Sequence, residues 1–308
     1  MTSVNPTATS AHASSICYNS HTGNIVLLDQ GAFPSFTQPN CQTYFWNGTT
    51  WALQNVTNPS IRSACNIAFD GSSNTVIGFG GKGLQGAGAP NYSSSGILYD
   101  TVQSSTGNWT EVSPATNPPQ RYNGYLVPLT NQVMMFGGLG EYFMQLDQWS
   151  YASGAWTQVT PAAQYPARKN AAVASNGTDT ILMFGGSGTG AQSYNDIWKY
   201  TVGSGTWTQL TPVNTGPSVR DSASMTYSPT LGLYILQGGK IESTVLGDTW
   251  TFNLGTLTWT QINTTNSLYL YGALLVSSGS QTLLFGGSNG YQLMNSTYLY
   301  QSSNWVKQ

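Results

Sequence analysis

The amino-acid sequence predicts an all-β fold, a six-bladed β-propeller of four-stranded antiparallel blades. Three observations predict it. The 308-residue chain has 35 glycines and 12% aromatic residues but only 6% charged residues, and it lacks long Lys- and Glu-rich helical patterns. A tryptophan recurs six times at intervals of 46–58 residues. An apolar run ending in glycine precedes each of these tryptophans, and such periodicity is typical of propeller blades.

The recurring tryptophans lie in similar local sequences, which place them on the fourth strand of each unit. Three are followed by Thr-Gln and then by Val, Leu or Ile. The six positions are Trp51, Trp109, Trp156, Trp207, Trp259 and Trp305. One repeat cannot cover its own apolar faces, so the units must stack on one another around a ring.

The second strand of each unit is predicted from the apolar runs. These occupy residues 76–81, 133–138, 181–186, 234–239 and 283–287, with a degenerate first copy at 25–31. Apolar residues in succession are expected where neighbouring blades cover both faces of a strand. The terminal glycines indicate positive φ angles or a close approach of another chain segment.

The third strand alternates with period two between polar and aromatic residues. Asp147, Asp196 and Asp248 each stand two residues before an aromatic residue. Because they recur in equivalent scaffold positions, we expect these aspartates to make hydrogen bonds in a turn or at a strand start rather than to take part in catalysis.

The glycine pair, the spaced aromatic residue and the later tryptophan together resemble the kelch repeat over residues 9–308. The resemblance implies six blades with the first strand of each nearest the axis. We expect a single domain, residues 1–308, with blades at 9–56, 57–113, 114–161, 162–212, 213–263 and 264–308. Each blade is then built from contiguous sequence, although residues 1–8 could add a strand. The fold hosts adhesins, ligase adaptors, sugar mutarotases and oxidases, so it does not define a function.

Four of the nine basic residues occupy one repeat position, 16–18 residues before a glycine pair. They are Arg62, Arg121, Arg168 and Arg220, with His12 and Tyr271 assigned to the same position in the first and last units. One interpretation is a hydrogen-bonding ring at the channel mouth that binds carboxylates, carbonyls or sugar hydroxyls. The resemblance implies ligand-binding arginines nearby. The alternative is that each arginine bonds carbonyls and carboxylates of its own blade junction.

Loops after the glycine pairs carry aromatic residues that are further candidates for ligand binding. They are Tyr92, Tyr142, Tyr194 and Tyr291, together with Phe33, Phe36 and Phe143. Aromatic platforms among Asn, Gln and Ser suit a glycan or a protein surface. The alternative is that some of these rings hold their own loops against the blade edges.

Catalytic chemistry is scarce, so the sequence favours binding over catalysis. His12 and His21 are the only histidines, too few for a multi-histidine metal site or the copper ligands of kelch oxidases. We therefore expect no catalytic residue, no metal and no cofactor. The alternative function is a sugar mutarotase, which needs one carboxylate near an arginine. Glu141, Glu242 and Asp221 are the candidates.

Charge and hydropathy limit the partners. Nine basic residues against eleven acidic ones, a net charge of −2, cannot form a nucleic-acid-binding stripe. No apolar run approaches the roughly 20 residues of a spanning helix, and the N-terminus lacks signal-peptide features. Cys17, Cys41 and Cys65 match no metal-site spacing.

The leading hypothesis is a non-enzymatic binding or structural module outside the cytosol, adhesin-like and on a cell or virion surface. We expect a glycan or protein ligand and a place in a larger surface assembly, with neither nucleic-acid binding nor membrane insertion. Sequons that permit N-glycosylation occur at Asn47, Asn55, Asn91, Asn108, Asn176, Asn263 and Asn295.

Overall fold

The computed structural model describes residues 6, 14–30, 41–60, 62–83, 96–189 and 192–308. These residues form six four-stranded antiparallel sheets, and no α-helix occurs among them. The sheets are the blades of a β-propeller, so the predicted fold class is confirmed. The chain divides into two compact units, Met1–Thr160 and Pro161–Gln308.

The first unit contains three blades and one additional two-stranded sheet. Blade 1 comprises β1 (Ser15–Asn19), β2 (Asn24–Asp29), β3 (Gln42–Trp46) and β4 (Trp51–Leu53). The small sheet pairs β5 (Arg62–Ser63) with β8 (Lys82–Gly83). Blade 2 comprises β6 (Asn66–Asp70), β7 (Thr75–Phe79), β9 (Thr101–Ser104) and β10 (Trp109–Val112). Blade 3 comprises β11 (Tyr125–Leu129), β12 (Gln132–Phe136), β13 (Gln148–Ala152) and β14 (Ala155–Val159).

The second unit repeats this arrangement. Blade 4 comprises β15 (Ala172–Ser175), β16 (Thr180–Phe184), β17 (Ile197–Thr201) and β18 (Thr206–Leu210). Blade 5 comprises β19 (Ser224–Ser228), β20 (Leu233–Gln237), β23 (Thr249–Asn253) and β24 (Thr258–Ile262), and a hairpin of β21 (Lys240–Ile241) and β22 (Thr244–Val245) is inserted in it. Blade 6 comprises β25 (Leu274–Ser277), β26 (Thr282–Phe285), β27 (Thr297–Gln301) and β28 (Asn304–Lys307).

Every blade is built from one stretch of sequence. The predicted blade bounds stay predictions. Within each unit, the first strands of neighbouring blades pack against each other, as expected of innermost strands. The prediction of one domain over residues 1–308 stays a prediction, as does an added strand at residues 1–8, of which only Pro6 is described.

The core lies between blades. All residues of β7 and β16 are buried, and the six recurring tryptophans are at most 4% exposed. Tryptophans also bridge neighbouring blades through hydrogen bonds. Within the first unit, the indole N–H of Trp109 donates to Thr43 Oγ1 (2.9 Å) and that of Trp156 donates to Thr101 Oγ1 (2.8 Å). A fourth strand is therefore fixed to the third strand of the preceding blade.

The glycine pairs bring one blade's second strand against the link that enters the next blade. Both Gly185 and Gly186 have positive φ, 66° and 91°. A Cβ on Gly185 would stand 2.7 Å from the carbonyl oxygen of Arg220, while the Gly186 amide donates to that same oxygen at 2.9 Å. Both predicted reasons for the glycines, positive φ and close approach, are confirmed here.

Links between blades also cover the edges of the outermost strands. The Asn214 side chain accepts the backbone N–H of Trp259 (2.9 Å) and donates to its carbonyl (2.7 Å), as a neighbouring strand would. The Trp207 amide is bonded to the carbonyl of Ala163 in the same way. Such cover removes edge groups that would otherwise pair with another chain.

Candidate functional site

In blades 2 to 6, the loop after the second strand lies beside the link that enters the first strand. We call these two segments the mouth loops of that blade. Isolated backbone bridges join them at Tyr122 and Leu139, at Lys169 and Ser187, at Asp221 and Lys240, and at Tyr271 and Ser288. The candidate site residues predicted from the sequence lie on or just beneath these segments.

A buried Arg–Asp ion pair lies under the mouth loops of four blades. In blade 5, Arg220 Nη1 and Nη2 donate to Asp248 Oδ1 (2.7 Å) and Oδ2 (2.8 Å). Arg220 also donates from Nη1 to the carbonyl of Gly238 (2.9 Å) and from Nε to that of Ser218 (3.2 Å). The other pairs are Arg62–Asp100, Arg121–Asp147 and Arg168–Asp196.

These guanidinium groups are at most 2% exposed, because carbonyls and a carboxylate of their own blade surround them. The observed contacts are those of the alternative interpretation, in which each arginine holds its blade junction together. Ligand binding by Arg62, Arg121, Arg168 and Arg220 stays a prediction, and His12 lies outside the described residues.

The predicted position of Tyr271 needs a correction. The backbone carbonyls of Arg121 and Arg220 each accept a hydrogen bond from the amide of the second glycine in the preceding blade. In blade 6 the carbonyl of Leu270 makes this contact, at 2.8 Å from the Gly239 amide. Leu270 is 16 residues before Gly286, as Arg121 is 16 residues before Gly137, and Tyr271 lies one residue further on. Its ring lies under the Lys240 ammonium, 5.2 Å from the ring centroid.

The aspartates of these pairs make hydrogen bonds, as predicted. Asp196 and Asp248 also accept the indole N–H of the tryptophan two residues later, at 2.7 and 2.6 Å. Burial opposes the ionisation of Asp196, but the hydrogen bonds from Arg168 and Trp198 outweigh it, so the net pKa is lowered. The pKa of Asp248 is lowered in the same way through Arg220.

Sequence reasoning missed Asp100, the partner of Arg62. Valine rather than an aromatic residue follows it two positions later, and a longer loop separates it from its glycine pair. Asp29 was missed as well, although it replaces the phenylalanine that precedes the glycine pair in four other blades. Its carboxylate accepts the Ser14 hydroxyl at 2.8 Å, and burial raises its pKa to about 6.

The loop aromatics divide into exposed and half-buried rings. Tyr142 and Phe143 are each 78% exposed and Tyr291 is 97% exposed. The Tyr194 ring instead packs under the Arg168 guanidinium, 4.2 Å from its centroid, and its hydroxyl donates to Gln192 (3.2 Å), so it holds its own loop. Tyr92, Phe33 and Phe36 lie outside the described residues.

The candidate carboxylates of a mutarotase have local partners. Glu141 accepts from Gln120 Nε2 (3.3 Å) and from the Tyr142 hydroxyl (3.1 Å), while Asp221 accepts from the Ser222 hydroxyl (2.7 Å). Glu242 is exposed at the tip of the β21–β22 hairpin with φ of 52°. In the described parts of the chain, no three His, Cys, Asp or Glu residues are grouped to hold a metal ion.

A family model described as the KLHDC2/KLHL20/DRC7 Kelch-repeats domain matches residues 129–307, which is more than half of the chain. The chain belongs to the kelch-repeat family. Kelch propellers are typical protein-binding modules. In the residues that the structure describes, no helix is long and apolar enough to cross a bilayer.

Curated relatives share part of this kelch propeller. The chain is 30% identical over 139 residues to the multiple epidermal growth factor-like domains protein 8 of Mus musculus and of Homo sapiens. It is 27% identical over 221 residues to the dynein alpha chain of the flagellar outer arm of Chlamydomonas reinhardtii. The matches cover 41%, 41% and 65% of this chain but only 5% of each relative.

Proposed function

We propose that this kelch propeller is a non-enzymatic binding module that recognises a protein surface through the mouth loop of blade 3. The exposure of two adjacent aromatic side chains carries the proposal. Tyr142 and Phe143 each leave 78% of their surface to solvent. Large exposed aromatic side chains are enriched at the energetic centres of protein interfaces.

The backbone presents these two rings on a tight turn. The Gly140 amide donates to the carbonyl of Phe143 (2.9 Å), and the Gln145 amide donates to that of Gly138 (2.9 Å). The Tyr142 hydroxyl is additionally held by the Glu141 carboxylate. A turn that is ordered before binding loses little conformational freedom when a partner docks, which favours affinity.

The experiment replaces Tyr142 by a photo-crosslinking amino acid, identifies the crosslinked partner in the source organism and measures its dissociation constant by calorimetry. We expect the double variant Tyr142→Ser, Phe143→Ser to bind at least about 30-fold more weakly, as for loss of two hot-spot side chains. Leu231→Ser is the matched control, since Leu231 is 50% exposed on a hairpin joining a first and a second strand. Unchanged affinity in the double variant would refute the proposal.

We also propose that the module works outside the cytosol, on a cell or virion surface. Two features support this setting. Four of the nine basic and four of the eleven acidic residues are in buried pairs, so the surface is poorer in charge than the composition alone indicates. Sequon asparagines at 55, 263 and 295 are exposed. Labelling intact cells or particles with a membrane-impermeant amine reagent tests the proposal, and labelling only after lysis would contradict it.

A further inference from the structure

Blade 6 carries an exposed tyrosine that lies flat on a glycine of blade 5. A Cβ built on Gly247 would stand 3.0 Å from both Cγ and Cδ2 of Tyr269 and 3.1 Å from Cδ1. Contact with adjacent ring carbons at nearly equal distances means that one face of the ring covers the glycine. The side chain is nevertheless 59% exposed, so its other face is open to solvent.

This pairing of residues is specific to blades 5 and 6. The position of Gly247, immediately before the third-strand Asp or Ser, holds Tyr99, Leu146, Asn195 or Asn295 in blades 2, 3, 4 and 6. The position of Tyr269, immediately before the buried Arg or Leu, holds Gln120, Ala167 or Val219 in blades 3, 4 and 5. Among the blades compared, the tyrosine and the glycine that makes room for its ring are therefore found only together, at the junction of blades 5 and 6. Chain geometry alone does not require either residue, because the equivalent blades fold without them.

The surroundings of the ring supply hydrogen-bonding groups. The link that carries Tyr269 is tied to blade 5 by the Leu270 amide, which donates to the carbonyl of Leu246 (3.3 Å). Two residues before Gly247, Val245 pairs with Lys240 across the β21–β22 hairpin. Lys240 in turn pairs through its backbone with Asp221. The Lys240 ammonium lies over the ring of Tyr271, two residues after Tyr269, at 5.2 Å from that ring's centroid.

We propose that Tyr269 is the stacking platform of a carbohydrate-binding site that accepts a pyranose ring. A pyranose presents one face of C–H bonds with partial positive charge, which complements the negative face of an aromatic ring. Its hydroxyls both donate and accept hydrogen bonds, so they can bind polar groups around the edge of the ring while the C–H face stacks on it. The ring is fixed in place by Gly247, so it is ordered before the sugar arrives. This site is separate from the Tyr142 loop, and either proposal can fail without the other.

Saturation-transfer difference NMR on the full chain tests the site, with four probes: methyl β-D-glucopyranoside, methyl β-D-galactopyranoside, methyl α-D-mannopyranoside and cellotetraose. We expect at least one of them to bind with a dissociation constant on the order of 1 mM, typical of a small ligand on an open platform. Saturation should be strongest at the C–H protons of one sugar face. Affinity is then measured by titration for the variants.

The variants separate stacking from other roles of Tyr269. We expect Tyr269→Phe to retain binding within about 3-fold and Tyr269→Ala to weaken it at least 10-fold. Gly247→Ala leaves the tyrosine in the chain but pushes its ring away, and should weaken binding at least 5-fold with an unchanged circular dichroism spectrum. Tyr142→Ala also removes one exposed tyrosine, and it should leave the affinity for the sugar unchanged. No transfer to any of the four probes in the wild-type protein, or binding unchanged in Tyr269→Ala, overturns the proposal.

Discussion

Replacing Asp248 by serine leaves the Arg220 guanidinium buried without its carboxylate. The side chain of Arg220 is 1% exposed and that of Asp248 is 21% exposed, so water reaches the acid but not the base. Breaking a buried ion pair by removing one partner costs about 3–5 kcal/mol. Arg220 keeps its bonds to the carbonyls of Gly238 and Ser218, and Asp248 is partly solvated, so we expect the low end, about 3 kcal/mol.

Blade 6 supplies a matched control for this variant. At the equivalent positions it has Leu270 in place of the arginine and Ser296 in place of the aspartate, so both charges are absent together. The double variant Arg220→Leu, Asp248→Ser copies this arrangement into blade 5. Because no charge is left buried, we expect it to be more stable than Asp248→Ser alone by about 1–2 kcal/mol.

Urea unfolding followed by tryptophan fluorescence measures the free energies of unfolding, with circular dichroism to check that each variant is folded. The pH dependence gives a second readout. The folded-state pKa of Asp248 is lowered, so the pair stabilises the protein above the ordinary carboxyl pKa and this stabilisation is lost as the pH falls through the lowered value. The acid side of the stability curve should therefore be shallower in the double variant. A cost below about 1 kcal/mol for Asp248→Ser, or a double variant no more stable than the single one, would refute the reasoning.

Three further predictions concern single buried or bridging groups. Because burial raises the pKa of Asp29 to about 6, its contribution to stability is fully present only below the ordinary carboxyl pKa and is lost as the pH rises through 6. Asp29→Asn should therefore raise the unfolding free energy at pH 7.5 by about 1–3 kcal/mol and change it much less at about pH 3.5. An equal effect at both pH values would contradict this. Gln148 is 0% exposed, and neither of its amide atoms has a hydrogen-bond partner among the residues that the structure describes. Thermal unfolding of Gln148→Met should therefore show a gain in stability of about 1 kcal/mol, whereas a loss would mean that the amide is satisfied. Asn214→Ala should lower the free energy of unfolding in urea by about 1–2 kcal/mol, because it removes the hydrogen bonds to both backbone groups of Trp259. Asn263 is an exposed asparagine of the same blade, and Asn263→Ala should leave the free energy of unfolding unchanged.

The repeats were readable from sequence because their signals are local. A glycine pair closes each apolar run within a few residues. In five blades the structure places those glycines at positive φ, and in blades 2, 4 and 5 they lie beside the link that enters the next blade. Apolar succession and period-two alternation are each visible within a single strand, and the tryptophan recurs once per blade. These patterns therefore predicted six four-stranded sheets.

The site was less predictable because its contacts join distant residues. The Arg62–Asp100 pair spans 38 residues, and the loop between them differs in length from those of other blades. Blade 6 has a leucine where four other blades have an arginine, so residue type did not mark this position and Tyr271 was assigned one residue too far along. The hydrogen bond from the Gly239 amide to the Leu270 carbonyl identifies the equivalent residue.

The sequence by itself determined the fold class, the number of repeats and the scarcity of charge, because composition and short-range periodicity do not depend on which segments meet. Only the tertiary structure decided what the charges contact. An arginine in a repeat can face a ligand or an aspartate of its own blade, and Arg220 faces Asp248. Tyr269 likewise became a candidate only when its ring was seen to cover Gly247, since the two residues lie in different blades.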